Sequence, residues 1–136
     1  MKVFAEANIL FSPANPESAT RILLDALIKH DIVVINEHVW EEARRNVHLK
    51  RPGLSSGPEK LKPGFQFCAR LAAVRGTLLP DKDQPVLAGA VGARCSHLWT
   101  GDRRHFGHLY GKTIAGVLIV SAVMLADELD RKVWLP

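Results

Sequence analysis

The sequence lacks several features that mark other classes of protein. It has two cysteines, Cys68 and Cys95, which lie far apart and outside any C-x-x-C or Cys/His spacing, so we expect neither a disulfide framework nor a zinc site. Its longest apolar stretch, 115–126, is interrupted by Gly116 and Ser121 and is shorter than the roughly 18 apolar residues of a membrane-spanning helix. The first residues lack the pattern of a secretory signal. We therefore expect a cytoplasmic protein with no membrane partner.

Motifs for nucleotide-phosphate loops are also missing, since neither G-x-x-x-x-G-K-[ST] nor G-x-G-x-x-G occurs. A haloacid-dehalogenase-like phosphatase would need D-x-D at the first strand, and Glu6-Ala7-Asn8 does not supply the nucleophile. His105 and His108 lie close in sequence, but Gly107 argues against a helix that would align their imidazoles. With no third ligand nearby in sequence, we do not assign these histidines to a metal site.

Length and composition indicate one globular unit. A chain of 136 residues that is 47% hydrophobic predicts a single domain over 1–136. Residues 51–64 hold three prolines, three glycines and two serines with almost no apolar residue, which predicts a mobile connection within that domain. The formal charge of +4 is a mild basic excess that favours a polyanionic partner through phosphate contacts.

Apolar segments alternate with helical patterns along the chain. Strands are predicted at 2–11, 32–35, 74–79, 97–100 and 117–120. Helices are predicted after Ser18, from Glu37 with Asn36 as N-cap, over 65–73, from 80–83 onward, and after Ser121. Continuously apolar strands that alternate with helices are typical of a parallel sheet covered on both faces. The predicted fold class is α/β, a three-layer α/β/α sandwich with a central parallel sheet.

Four acids lie where these strands end or helices begin, which is the edge where such sheets bind ligands: Glu6, Glu42, Asp83 and Asp102. Glu6 places a carboxylate in an otherwise apolar strand, where a cation or hydrogen-bond donors must compensate its burial. Several carboxylates suit Mg²⁺ or Mn²⁺, which can activate a water for attack on phosphate. Taken singly, Glu42 and Asp83 could instead be solvated or capping groups.

Together these segments resemble, in order, the motifs of the PIN-domain family. Residues 3–10 look like its opening strand, in which an acid is followed two residues later by Asn. Residues 34–42 are similar to the strand and helix that bear the next acid, and 83–88 to the third segment. The most specific match is 98–102, Leu-Trp-Thr-Gly-Asp. Residues 116–125 resemble the family's last strand and helix, so the resemblance covers essentially the whole chain.

The resemblance implies a metal-dependent endoribonuclease of the small prokaryotic kind, many of which are the toxin of a toxin–antitoxin pair. Its implied catalytic and metal-binding residues are Glu6, Glu42, Asp83 and Asp102, with Mg²⁺ or Mn²⁺ as cofactor and Asn8 and Thr100 in support. RNA is the implied substrate, and an antitoxin protein and a homodimer are the implied partners. Glu6 stands where the family has Asp, one methylene shorter, which leaves an alternative open: a catalytically weak or silent PIN module that binds RNA or a protein partner.

Basic residues follow two of the acids. Arg44 and Arg45 come after Glu42, and Arg103 and Arg104 come after Asp102. They could flank the path of an RNA backbone, or they could be ordinary solvated groups near helix ends.

Overall fold

A central sheet organises the fold. The computed structural model describes residues 1–11, 18–50, 53, 57–76 and 79–136. Its strands are β1 Val3–Ala5, β2 Val33–Ile35, β3 Gln66–Phe67, β4 His97–Trp99, β5 Thr113–Ile114 and β6 Val117–Val120. They form one sheet in the order β3-β2-β1-β4-β6-β5, in which only the β5–β6 pair is antiparallel among the described strands. Strands β1, β2 and β4 are buried along their whole length, which explains why β1 and β2 are apolar without alternation; β4 carries one buried polar residue, His97.

Helices cover this sheet. They are α1 Ala7–Phe11, α2 Ala19–Lys29, α3 Glu37–Lys50, α4 Gly57–Leu61, α5 Gln84–Gly92, α6 Arg103–Phe106 and α7 Ala122–Arg131, with short 3₁₀ turns at Lys62–Gly64, Asp81–Asp83 and Gly107–Leu109. Helix α2 contacts α7, and α3 contacts both α1 and α5. The predicted three-layer α/β/α fold class is confirmed. Among the described residues, no helix is both long and apolar enough to cross a membrane.

Three helix starts follow the predicted capping residues. The side chains of Ser18, Asn36 and Ser121 accept a hydrogen bond from the backbone N–H three residues later, at 3.1, 2.9 and 3.3 Å. Each bond satisfies one of the amide groups that the first turn of a helix leaves without a partner. These local contacts confirm the predicted beginnings of α2, α3 and α7.

The predicted first strand, 2–11, is too long. Strand β1 ends at Ala5, and Ala7–Phe11 forms α1, whose first turn is set by a hydrogen bond from the Ile9 N–H to the Glu6 carbonyl (3.0 Å). Ala7, Ile9 and Leu10 are all buried. A short helix buried on most sides shows the same unbroken apolar run as a buried strand, so the pattern could not separate the two.

The segment after residue 64 was also predicted wrongly. Residues 65–73 do not form a helix; they contain β3, which pairs with β2 through Val34↔Gln66 and Ile35↔Phe67. Residues 74–76 of the predicted strand are irregular, and 77–78 lie outside the described residues. The edge strand β5 was not foreseen. Both short strands exist because they pair with a neighbouring strand, and their own two residues carry almost no pattern.

The predicted connection at 51–64 is described only in part. Residues 57–64 form α4 and the 3₁₀ turn that follows it, while 51–52 and 54–56 lie outside the described residues. Mobility of this connection stays a prediction. Cys95 is buried and Cys68 half-buried, and both are free thiols.

Candidate metal centre

Glu6 lies at the carboxyl edge of the sheet, directly after β1. Its N–H donates to the Trp99 carbonyl at 3.1 Å, which fixes the backbone beside the end of β4. The side chain is buried, and the Thr100 hydroxyl donates to its Oε2 at 3.1 Å. Burial raises the pKa of Glu6 to about 7; the Thr100 hydrogen bond opposes this increase, and the charges of neighbouring acids add to it.

Thr100 connects this carboxylate to the next acid. It is fully buried, and its Oγ1 accepts a hydrogen bond from the Asp102 N–H at 3.1 Å while donating to Glu6. Its carbonyl accepts from the Tyr110 hydroxyl at 2.9 Å. One residue further on, the Gly101 N–H donates to Asn8 Oδ1 at 3.3 Å. Asn8 and Thr100 therefore hold the 100–102 segment against the end of β1, and their supporting role in the site stays a prediction.

Asp83 ends the 3₁₀ turn Asp81–Asp83 and is 2% exposed. The preceding residue, Lys82, bonds through its carbonyl to His38 Nε2 of α3 at 3.1 Å, which ties this turn to α3. Within the described chain, Asp83 Oδ2 is buried and has no hydrogen-bond partner. Burial raises the pKa of Asp83, and the nearby His105 acts in the opposite direction.

Asp102 caps α6 and contacts the side chain of His105. Its Oδ1 accepts from the His105 N–H at 3.2 Å, and its Oδ2 lies 2.8 Å from His105 Nδ1. The same Nδ1 lies 3.0 Å from Asp83 Oδ2. Together Asp83, Asp102 and His105 offer three ligand atoms that lie within 4.8 Å of one another and could hold a metal ion.

Glu42 lies on α3, one turn after His38, and is half-buried. Its Oε2 is buried and finds no hydrogen-bond partner in the described part of the structure. Its charge contributes to the raised pKa of both Glu6 and Asp83, so its carboxylate belongs to the same cluster. The structure thus brings together the four acids named from the sequence, whose roles in metal binding and catalysis remain predictions.

The donor set fits a divalent cation. Like charges held this close disfavour one another's ionised forms, and buried carboxylate oxygens without partners are costly. A hard cation with several carboxylate ligands removes both costs. Glu42 Oε2 and Asp83 Oδ2, which lack hydrogen-bond partners among the described residues, are the oxygens most available to it.

From the sequence, His105 is not predicted as part of the site, because it is considered there only as a pair with His108. Gly107 does end α6, and His108 is exposed, so the imidazoles are not paired. The useful signal was local: an N-cap Asp places the residue three positions later beside its own side chain. The contact with Asp83 requires the folded chain and has no local signal. Of the basic residues beside the acids, Arg45, Arg103 and Arg104 are exposed, and Arg44 pairs with Glu41 at 3.4 Å.

Comparisons with known proteins agree with this fold. No protein-family model and no curated protein matches the chain. Among solved structures, it is similar to a chain of VapBC2 from Rickettsia felis bound to a DNA fragment from their promoter, with a TM-score of 0.66 and 16% identity over 89% of this chain and 98% of that one. Likeness at this identity concerns the fold alone. The fold is PIN-like, as the sequence predicts.

Proposed function

We propose that the chain is a metal-dependent endoribonuclease in which Glu6, Glu42, Asp83 and Asp102 hold Mg²⁺ or Mn²⁺. The observation that carries the proposal is the pair of buried carboxylate oxygens, Glu42 Oε2 and Asp83 Oδ2, which lack a hydrogen-bond partner among the described residues. Each such group costs about 1–3 kcal/mol or more when it is charged. A site that binds a cation explains why the fold keeps them.

The protein's own residues prepare this site for phosphodiester hydrolysis. Asp102 uses Oδ1 to cap α6, which leaves Oδ2 for the cluster. Thr100 fixes Glu6 through Oε2 and aligns it with the 100–102 backbone. When bound, the metal would supply a water of lowered pKa and would stabilise charge on the phosphate. The family resemblance implies hydrolysis that leaves a 5′-phosphate on the product.

RNA is the proposed substrate and an antitoxin the proposed partner. The net charge of +4 and the exposed Arg103 and Arg104 beside Asp102 favour a polyanion at this edge. The sequence resemblance implies RNA, a homodimer and a cytoplasmic toxin–antitoxin pair. Similarity to a chain of the VapBC2 complex supports an assembly with a second protein.

Glu6 supports a second candidate, a weak or silent PIN module that binds RNA or a protein. With a pKa of about 7, this carboxyl is partly protonated at neutral pH, and a protonated carboxyl is a poor ligand for a hard cation. Its extra methylene also moves the carboxylate relative to the family's Asp. Activity would then be lost while the fold and surface remain.

Cleavage of single-stranded RNA in millimolar Mn²⁺ tests the proposal. We expect 5′-phosphate products, no cleavage in EDTA, and a loss on the order of 100-fold or more in Asp102→Asn. Asn caps a helix as well as Asp does, so this variant keeps α6 and removes the charge. Cleavage that persists in EDTA, or 2′,3′-cyclic phosphate products, would contradict the mechanism. Inactivity of the parent chain on varied RNAs would favour the silent module.

A further inference from the structure

The His105 imidazole stands between two of the acids. Its Nδ1 lies 2.8 Å from Asp102 Oδ2 and 3.0 Å from Asp83 Oδ2. The backbone of His105 is fixed beside Asp102, because Asp102 Oδ1 caps α6 by accepting a hydrogen bond from the His105 N–H. The His105 Nδ1 atom therefore lies within 3.0 Å of an oxygen of each carboxylate.

These short contacts lack hydrogen-bond geometry, although both are at ion-pair distance if the imidazole is protonated. His105 Nδ1 and Asp83 Oδ2 are both buried, and within the described residues neither has a hydrogen-bond partner, although they lie 3.0 Å apart. Asp83 is itself 98% buried, since 2% of it is exposed. The nitrogen thus lies close to both carboxylates without forming a hydrogen bond to either, as a ligand does beside other ligands of one ion.

The distances between the nitrogen and the two oxygens are those expected between ligands of one metal ion. Adjacent ligands on an octahedral ion with bonds of about 2.1 Å lie about 3.0 Å apart. The two nitrogen-to-oxygen distances, 2.8 and 3.0 Å, agree with this separation. Asp83, Asp102 and His105 each offer one ligand atom within 4.8 Å of the others, and water could complete the set.

We propose that His105 is a nitrogen ligand of the metal centre and that it makes the centre select Mn²⁺, and other transition ions, over Mg²⁺. This inference rests on the metal dependence proposed above and specifies its cofactor. Mg²⁺ strongly prefers oxygen ligands, whereas imidazole raises affinity for first-row transition ions. A site of carboxylates alone would not make this distinction as strongly.

A rival arrangement makes the opposite prediction. If His105 were an imidazolium that occupied the place of the cation, it would compete with metal for Asp83 and Asp102, and its removal would raise metal affinity. An imidazolium would direct its N–H along a hydrogen bond to one of the carboxylates. Among the described contacts of Nδ1, neither has that geometry, which favours the ligand.

Titration calorimetry tests the proposal. It should measure the binding of Mn²⁺ and of Mg²⁺ to the parent chain and to His105→Gln. We expect Mn²⁺ affinity to fall in the variant by at least the roughly 10-fold to 100-fold that the loss of an outer-shell partner costs, and Mg²⁺ affinity to change much less. His108→Gln is the matched control, because His108 is exposed and follows in the same segment. In pulsed electron paramagnetic resonance, bound Mn²⁺ should show coupling to ¹⁴N that disappears in His105→Gln; His105→Asn serves if the first variant does not fold.

Unchanged or increased Mn²⁺ affinity in His105→Gln, or an absence of nitrogen coupling in the parent chain, would overturn the assignment. The proposed function would survive if Asp83→Asn still lost both Mn²⁺ binding and RNA cleavage while His105→Gln kept both. A parent chain that bound no divalent cation would refute this assignment and the metal dependence together.

Discussion

Glu6 is the residue at which this chain departs from the motif it resembles. The additional methylene displaces a carboxylate by roughly 1 Å, and displacement of that size can cost on the order of 100-fold in rate. We expect Glu6→Asp to increase Mn²⁺ affinity and RNA cleavage, because it restores the shorter side chain without changing the charge. Glu42→Asp is the control, since it shortens another glutamate of the cluster by one methylene, on α3, and should lower both.

A loss of RNA cleavage in Glu6→Asp would show that the site requires the longer side chain. Thr100 already donates to Glu6 Oε2 at 3.1 Å, and a shorter side chain would have to reach this hydroxyl from further back. If Glu6→Asp cleaves less than a parent chain that cleaves well, the site has been built around glutamate, and the impaired-site explanation is wrong.

The raised pKa of Glu6 predicts a pH dependence of stability in the absence of metal. The folded chain keeps a proton on Glu6 that the unfolded chain releases, so the contribution of Glu6 to stability is fully present below about pH 4.5 and is lost as the pH rises through about 7. The difference between the two pKa values corresponds to at most about 3.5 kcal/mol of stability. In EDTA, the free energy of unfolding measured in urea should therefore fall less between pH 5 and pH 8 in Glu6→Gln than in the parent chain. Glu41→Gln, an exposed neighbour of Glu42, should keep the parental dependence, and an equal dependence in Glu6→Gln would refute the assignment.

Helix α5 packs on β1 and on the start of α3 through Gly89. A Cβ at Gly89 would lie 2.5 Å from Asn36 Nδ2 and 2.9 Å from Phe4 Cζ, and both side chains are buried. We expect Gly89→Ala to lower the free energy of unfolding by about 1–3 kcal/mol, because the overpacking outweighs the gain in helix propensity. Gly107→Ala, where the nearest atom is 3.9 Å away, should be neutral within about 0.5 kcal/mol. Thermal or urea unfolding of both variants provides the comparison, and a Gly89→Ala chain as stable as the parent would show that α5 can move.

The helices that could be predicted are those with their own local signals. Ser18, Asn36 and Ser121 cap the helices that follow them, and the bonds involved span three residues. Elements without local signals were predicted wrongly. The apolar residues of α1 read equally well as a strand, and β3 depends on its pairing with β2, which lies far away in sequence. Pairing energy and burial, which a window of sequence does not contain, decided both cases.

The cluster of acids likewise has one part that local sequence predicts and one part that only tertiary packing determines. Acids at the ends of strands were detectable, because the carboxyl ends of parallel strands form one edge. The order of the strands then brings these acids together. Because β1 lies between β2 and β4, Glu6, the start of α3 and the 100–102 segment adjoin one another. The contact between His105 and Asp83 joins two helices through tertiary packing alone. The spacing of three residues indicates that His105 lies beside Asp102, but its contact with Asp83 has no signal in the sequence.

The most direct test of the metal centre is diffraction from crystals of the parent chain soaked in Mn²⁺, with anomalous data collected near the manganese edge. The arrangement described predicts one strong anomalous peak at the carboxyl edge of the sheet, about 2 Å from Asp83 Oδ2 and from Asp102 Oδ2. Glu6 and Glu42 should border the same peak. Well-ordered density for all four acids with no anomalous peak among them, or with the peak elsewhere on the molecule, would contradict the centre.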